Sequence, residues 1–218
     1  VGGLAAGTGL GLFNGLVISR LAMPAFIVTL AMKSMARGLT LIYTDGQPIS
    51  GFSDSFQFLG GGKLGPVPIP VIILAVVLVI CYIVLKKTPF GRYVYAIGGS
   101  EEAAKLSGIK TKVIKTAVFA ISGFMASLSG IVLASRLNSA QPTAGAGYEL
   151  DAIAAVVLGG TSLTGGRGGI LGTLVGALIM GVINNGLNLL NVSSFYQLIA
   201  KGTVILLAIY LDRQSKEA

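Results

Sequence analysis

Histidine is absent from this 218-residue chain, cysteine occurs once, and charged residues make up only 11%. Without imidazoles there are no His-based metal sites, catalytic triads or histidine proton relays. Cys81 has no partner for an intrachain disulfide; inside an apolar run it reads as a small buried or lipid-facing hydrophobe. The phosphate-loop pattern Gly-x-x-x-x-Gly-Lys-Ser/Thr is also missing, because the Gly62-Lys63 pair is followed by Leu64. The chain is therefore not expected to hydrolyse ATP, and no catalytic residue, metal or cofactor is expected. Scarcity of charge is the most restrictive of these absences. Soluble domains carry roughly 25% charged residues, whereas here 53% of residues are hydrophobic. Such a chain cannot cover a globular surface with polar groups, and a lipid bilayer is the solvent that fits.

The net charge of +8 does not point to nucleic acid, because the charges sit in connections between apolar runs rather than on one basic face. Val1 already lies in an apolar, Gly-rich stretch, with no initiator Met, charged n-region or cleavage site. The expectation is a natural polypeptide that extends further upstream.

A hydrocarbon core about 30 Å thick needs about 20 apolar residues per helix. Six stretches meet or approach this: Val1–Ser19, Pro24–Tyr43, Ile69–Leu85, Val113–Ser135, Ile170–Leu190 and Phe195–Leu211. A seventh, Leu150–Leu163, is short and ends in Gly-rich sequence. Helices are the expected spanning elements, since strand alternation is absent and backbone groups in lipid must pair internally. The fold class is thus all-α, a polytopic transmembrane bundle of about seven crossings, with residues 1–218 as a single membrane domain.

Loop charge sets the orientation. The connection 86–115 carries Lys86, Lys87, Arg92, Lys105, Lys110, Lys112 and Lys115 against Glu101 and Glu102. The connection 44–68 carries Asp45, Asp54 and Lys63. The positive-inside rule places the first in the cytoplasm and the second outside. Arg20 then lies inside, and the tail with Arg213 and Lys216 also lies inside if Leu150–Leu163 crosses as a short helix.

Gly3, Gly7, Gly11 and Gly15 form one flat stripe, and Gly168, Gly172 and Gly176 repeat the device. Such stripes let helix backbones approach closely in lipid, where packing replaces the hydrophobic drive. Asn14-Gly15-Leu16 and Asn185-Gly186-Leu187 hint at an inverted repeat, the arrangement of transporters whose pathway lies between halves.

Polar residues inside spans are the pathway candidates: Asn14, Asn184, Asn185 and Asn188. Asn184 and Asn188 lie one turn apart on one face. Their amides suit sugar hydroxyls, or equally interhelical hydrogen bonds. Lys33, Arg37 and Lys201 are charges within spans that pair, face a cavity or snorkel. Glu149 and Asp151 stand at the external end of the short seventh stretch, which speaks against a mid-membrane carboxylate of an ion-coupled carrier. Gly159-Gly160 and Gly165-Gly166-Arg167-Gly168-Gly169 read as a flexible or closely packed inner hairpin.

Within the cytoplasmic connection, Ser100 is a plausible N-cap, Glu101 and Glu102 fill a first turn, and Gly108 suits a C′ position. A short surface helix, Ser100–Ser107, follows, fit to seat in a partner's groove. Glu102-Ala103-Ala104, three further residues and Gly108 resemble the EAA motif of bacterial ABC importer permeases. Gly91-Arg92-Tyr93-Val94-Tyr95-Ala96-Ile97-Gly98-Gly99 is similar to the version in monosaccharide permeases. Pro24–Leu30 and the long run Ser139–Leu163 resemble ribose-type permeases, and the likeness covers essentially the whole chain.

The resemblance implies an importer subunit in the bacterial inner membrane that moves a monosaccharide, ribose first. Its implied partners are cytoplasmic ATP-binding subunits, a periplasmic or lipid-anchored sugar-binding protein and a second permease copy as a homodimer. It also implies that Ser100, Glu101, Glu102, Ala103, Ala104, Leu106, Ser107 and Gly108 couple to the ATPase. Family permeases are longer at the N-terminus. The rival expectation is an ion-coupled secondary carrier or channel for a small polar solute, and a third is a membrane scaffold that transports nothing.

Overall fold

The computed structural model describes residues 1–193, 195–199, 201–204 and 206. Five long helices match five of the expected spans: α1 (Gly2–Leu21), α2 (Ala25–Thr44), α4 (Ile69–Lys87), α7 (Thr111–Leu137) and α9 (Ile170–Leu189). Each is long and apolar enough to cross a membrane. The chain is a multi-pass membrane protein. α4 has no buried residue at all, a surface that lipid rather than water can solvate. The expected span Phe195–Leu211 is helical over 195–199 and 201–204. Its end, together with Arg213 and Lys216, lies outside the described residues.

Shorter elements fill the connections: α3 (Asp54–Gly61), α5 (Pro89–Gly99), α6 (Glu101–Leu106), α8 (Tyr148–Leu158) and the dipeptide strands β1 (Ile49–Ser50), β2 (Lys63–Leu64), β3 (Val67–Pro68) and β4 (Ser139–Ala140). α8 differs from the expected Leu150–Leu163. It stops at Leu158 because Gly159 and Gly160 follow, the latter at φ +79°. Its 11 residues rise only about 16 Å, so the helix alone does not reach across a bilayer. Pro24 ends α1 and opens α2: Ala22 turns left-handed at φ 52°, and Pro24 takes the N-cap.

The chain divides into two compact units. The first comprises Val1–Val79 and Ser107–Ala144. At its centre α1 and α7 pack antiparallel through the predicted stripe, with Gly3 against Ile131, Gly7 against Ser127, Gly11 against Phe119 and Gly15 against Thr116. A Cβ on Gly7 would sit 2.5 Å from Ser127 Cβ, and one on Gly15 would sit 2.7 Å from Thr116 Cα. Ser19 and Thr116 hydroxyls meet at 3.0 Å beside this seam. α3 is held on α7 by Ser135, whose hydroxyl accepts from Gly60 N–H at 2.7 Å and donates to the Phe56 carbonyl at 2.5 Å. β1 pairs antiparallel with β4, and Asn138 Oδ1 accepts from Phe52 N–H at 3.2 Å. The two connections so joined are those that follow α2 and α7.

The second unit comprises Ile80–Leu106 and Gly145–Ala218. Here α8 and α9 pack antiparallel, Gly159 on Gly172 and Ala155 on Gly176. Ala154, Ala155 and Met180 form a small core, with Leu158, Ile183 and Val204 against it. Of the second stripe, Gly172 and Gly176 act as expected, but Gly168 lies in the preceding turn at φ +142°. The two Asn-Gly-Leu copies do not share a packing role: Gly15 is pressed on α7, whereas nothing described lies within 4 Å of where a Cβ on Gly186 would be.

The α1–α7 seam yields a contrast. Gly11→Leu forces a side chain into the Phe119 carbonyl and should cost about 1–3 kcal/mol or more, while Gly9, with open space around it, should accept Leu with little loss. Thermal unfolding of the two variants in detergent measures the difference.

Candidate functional site

Two places in the second unit gather most of the residues singled out in the sequence, with Ser107 and Gly108 following the first of them in the chain. The first is the corner formed by α5 and α6. Thr88 caps α5 and Pro89 occupies its first turn, where a missing N–H costs nothing. α5 was not anticipated from sequence, although the Thr88-Pro89 start signal was there to be read. Ser100 then serves both helices. Its N–H donates to the Ala96 carbonyl at 3.1 Å, closing α5. Its hydroxyl accepts from Ala103 N–H at 3.2 Å, opening α6 as anticipated. Glu101 pairs with Lys105 at 3.5 Å, and Gly108 takes the left-handed φ of +80° that its proposed C′ role needs. Ala104 is buried, while Glu102, Ala103, Ser107 and Gly108 are exposed. Leu106 is 91% exposed, an apolar side chain standing free in a charged connection.

This corner rests on the glycine-rich hairpin. Gly98 is pressed on Gly165 and Gly166, so a Cβ on Gly98 would lie 2.5 Å from Gly166 N. Gly165 and Gly166 adopt φ +90° and +75°. Tyr95 donates its phenolic hydrogen to the Gly168 carbonyl at 2.7 Å. Ser162 N–H bonds to the Arg167 carbonyl at 3.1 Å, and Gly165 N–H to the Ser162 carbonyl at 3.1 Å. Of the two sequence readings of this hairpin, flexible or closely packed, the geometry is the closely packed one.

The second place is a cavity of about 380 Å3 lined by Tyr148, Asp151, Asn184, Asn188, Gln197 and Lys201. α8 contributes its first turn and α9 its last two. Lys201 Nζ lies 2.9 Å from each carboxylate oxygen of Asp151. The charge within the last expected span is therefore paired. Asn188 Oδ1 accepts from Gln197 Nε2 at 2.9 Å, and the same nitrogen donates to the Val192 carbonyl at 2.9 Å. Asn184 Oδ1 is buried with no hydrogen-bond donor among the described residues.

The structure thus brings Asn184 and Asn188 together in one cavity, without Asn185. Asn185 is exposed and does not line the cavity. Asn14 lies on α1 in the first unit, its Oδ1 likewise buried without a described partner. Tyr148, Gln197 and the pairing of Asp151 with Lys201 were missed by sequence reasoning. The available signal was Lys201 itself, since a charge within an apolar span calls for a counter-charge. Among the described residues no cluster of acidic, Cys or His side chains could hold a metal.

Comparison with known proteins places these features in a family. Residues 1–209 match the family described as the permease component of the branched-chain amino acid transport system. The chain is 57% identical to the ribose import permease protein of Bacillus subtilis (strain 168), over 92% of this chain and 63% of the relative. It is 53% identical to the ribose import permease protein of Haemophilus influenzae, over 96% of this chain and 66% of the relative. It is 41% identical to the D-allose transport system permease protein of Escherichia coli (strain K12), over 98% of this chain and 65% of the relative. The chain spans just under two thirds of the length of these relatives. No solved structure matches it. From the match over 209 residues and these identities, the chain belongs to the family of transport-system permease components.

Proposed function

We propose that this chain is the membrane-spanning body of a permease that passes a monosaccharide, ribose first, through the bacterial inner membrane, driven by separate ATP-binding subunits. The observation that carries the reading is the identity of 57% and 53% to two ribose import permeases across more than nine tenths of the chain. A sugar-binding protein would deliver the substrate outside, and a second copy of the permease would complete the pathway.

The geometry supports a division of labour along the membrane normal. Of the connections joined by β1 and β4, the one after α2 is assigned to the outside by loop charge, and the one after α7 follows it by alternation of the spans. The α5–α6 corner and the glycine hairpin, which touch each other, are the two assigned to the inside. Tyr148, at the start of α8, shares the cavity with Asn188 near the end of α9, while Gly159 packs on Gly172 near α9's start. α8, with 11 residues against the 20 of α9, thus runs along about half of its neighbour, which supports an out-to-in passage only together with the residues up to Ile170. With it and the last expected span, whose end lies outside the described residues, the proposed count is seven crossings.

Coupling follows from the corner. Leu106, with Glu102 and Ser107 beside it, is the anchor that seats in a groove of the ATPase. Because Gly98 abuts Gly165 and Gly166, and the hairpin leads into α9, displacement of α6 carries α9 and its asparagines with it. Asn184 and Asn188 then belong to the translocation pathway, with Asn14 and Asn185 as its further candidates. An ion-coupled carrier needs a carboxylate free to take and release the ion, and Asp151 is already occupied by Lys201.

Two outcomes check this reading. Vesicles holding the natural polypeptide that contains this chain should accumulate labelled ribose only with the ATPase and ATP present, and should ignore an uncoupler; uptake that an uncoupler abolishes points to the carrier instead. Leu106→Asp should weaken association with the ATPase by about 30-fold, the loss of a hot spot worth about 2 kcal/mol, measured by co-purification and titration. Wild-type association by that variant would remove α6 from the coupling surface.

A further inference from the structure

The cavity of the second unit says more about its guest than its position does. It is an open cleft of about 380 Å3 rather than an enclosed cavity, so it would hold a small guest by one face rather than engulf it. Every one of its six lining residues carries a polar group. The apolar surface among them comes from the Tyr148 ring and the aliphatic stems of the longer side chains.

Charge narrows the guest further. Asp151 and Lys201 are the charged residues of the lining, and they neutralise one another at 2.9 Å. A guest with a net charge gains no Coulombic advantage there and would disrupt the pair. A neutral guest with hydroxyl groups loses nothing, because a hydroxyl both donates to a carboxylate and accepts from an ammonium.

Hydrogen-bond balance indicates where the guest is held. Asn188 Oδ1 is satisfied by Gln197, which fixes that amide and leaves its N–H groups to donate. Asn184 Oδ1 is buried and lacks a donor among the described residues. A buried acceptor left unpaired is destabilising, and a hydroxyl guest relieves it.

We propose that this cavity is a low-affinity subsite for a neutral polyhydroxylated ring, with Asn184 Oδ1 accepting from one hydroxyl and the Asp151–Lys201 pair receiving two neighbouring hydroxyls. Tyr148 offers its ring to the C–H face of the guest. The inference rests on the permease reading above and adds Tyr148, Asp151, Gln197 and Lys201 to the groups that meet substrate.

The test uses the natural polypeptide assembled with its ATPase and binding protein in proteoliposomes, with every cysteine of the polypeptide, Cys81 among them, replaced by Ala. In that background Asn188→Cys is labelled by a small hydrophilic thiol reagent. Millimolar ribose is expected to slow labelling at least about threefold, a fraction of a kcal/mol consistent with weak binding, while equal leucine leaves the rate unchanged. Protection by leucine, or by neither, overturns the proposal. A second arm exchanges the pair, Asp151→Lys with Lys201→Asp. A pair that meets substrate should regain detergent stability on exchange but not ribose uptake; full recovery of uptake overturns its role in the subsite. If the exchanged protein does not assemble, the labelling result decides. Should the parent protein lack ATP-dependent sugar uptake, the permease reading fails, and protection by ribose still reports on the subsite.

Discussion

Backbone-to-backbone contact at glycine is the constraint on which the described structure depends. In lipid, apolar side chains gain little from leaving their solvent, so helices associate only where their surfaces fit closely. Here the fit is made by removing side chains. Gly7, Gly11 and Gly15 bring α1 onto α7, Gly159, Gly172 and Gly176 bring α8 onto α9, and Gly98 meets Gly165 and Gly166 at the inner corner. These are seams of carbonyls and Cα atoms rather than interdigitated leucines. The larger apolar residues point away from them, as the many exposed Leu, Ile, Val and Phe side chains show.

Close seams leave polar groups with few ways to be satisfied, and the chain uses them sparingly. Ser135 serves two backbone groups of α3 at once, and Thr116 bridges α7 to the Ser19 hydroxyl. Against that economy, the crowding of an ion pair, two asparagines, a glutamine and a tyrosine around one cavity is an expense that close packing alone does not require. The Asp151–Lys201 pair is only partly buried, and such pairs are weak evidence for stability.

Much of the fold was legible in the sequence because bilayer thickness and loop charge are strong constraints. The five long helices fall where the apolar runs predicted, and the Ser100 cap and left-handed Gly108 were read from residue type alone. α8 was misjudged in extent because an apolar run continues past Leu158, while Gly159 and Gly160 break the helix for a reason that hydropathy ignores. α5 was overlooked because its apolar content is interrupted by Arg92 and glycines, and β1–β4 because two-residue pairings carry no sequence period. In the candidate site, the i, i+4 spacing gave Asn184 and Asn188 their common face. Asp151 and Lys201 are separated by 50 positions, and only the folding of the last described helix against α8 makes them a pair.

The shared use of Ser100 has a consequence for how this corner can vary. One residue ends α5 and begins α6, so no spare linker exists to absorb a change of length. Adding or deleting a residue there would rotate α6 by about 100° about its axis, turning Leu106 away from its outward position and Ala104 out of its buried one. Side chains along α6 can drift while the count of residues between Gly98 and Leu106 stays fixed, much as the pitch of a key matters more than its finish.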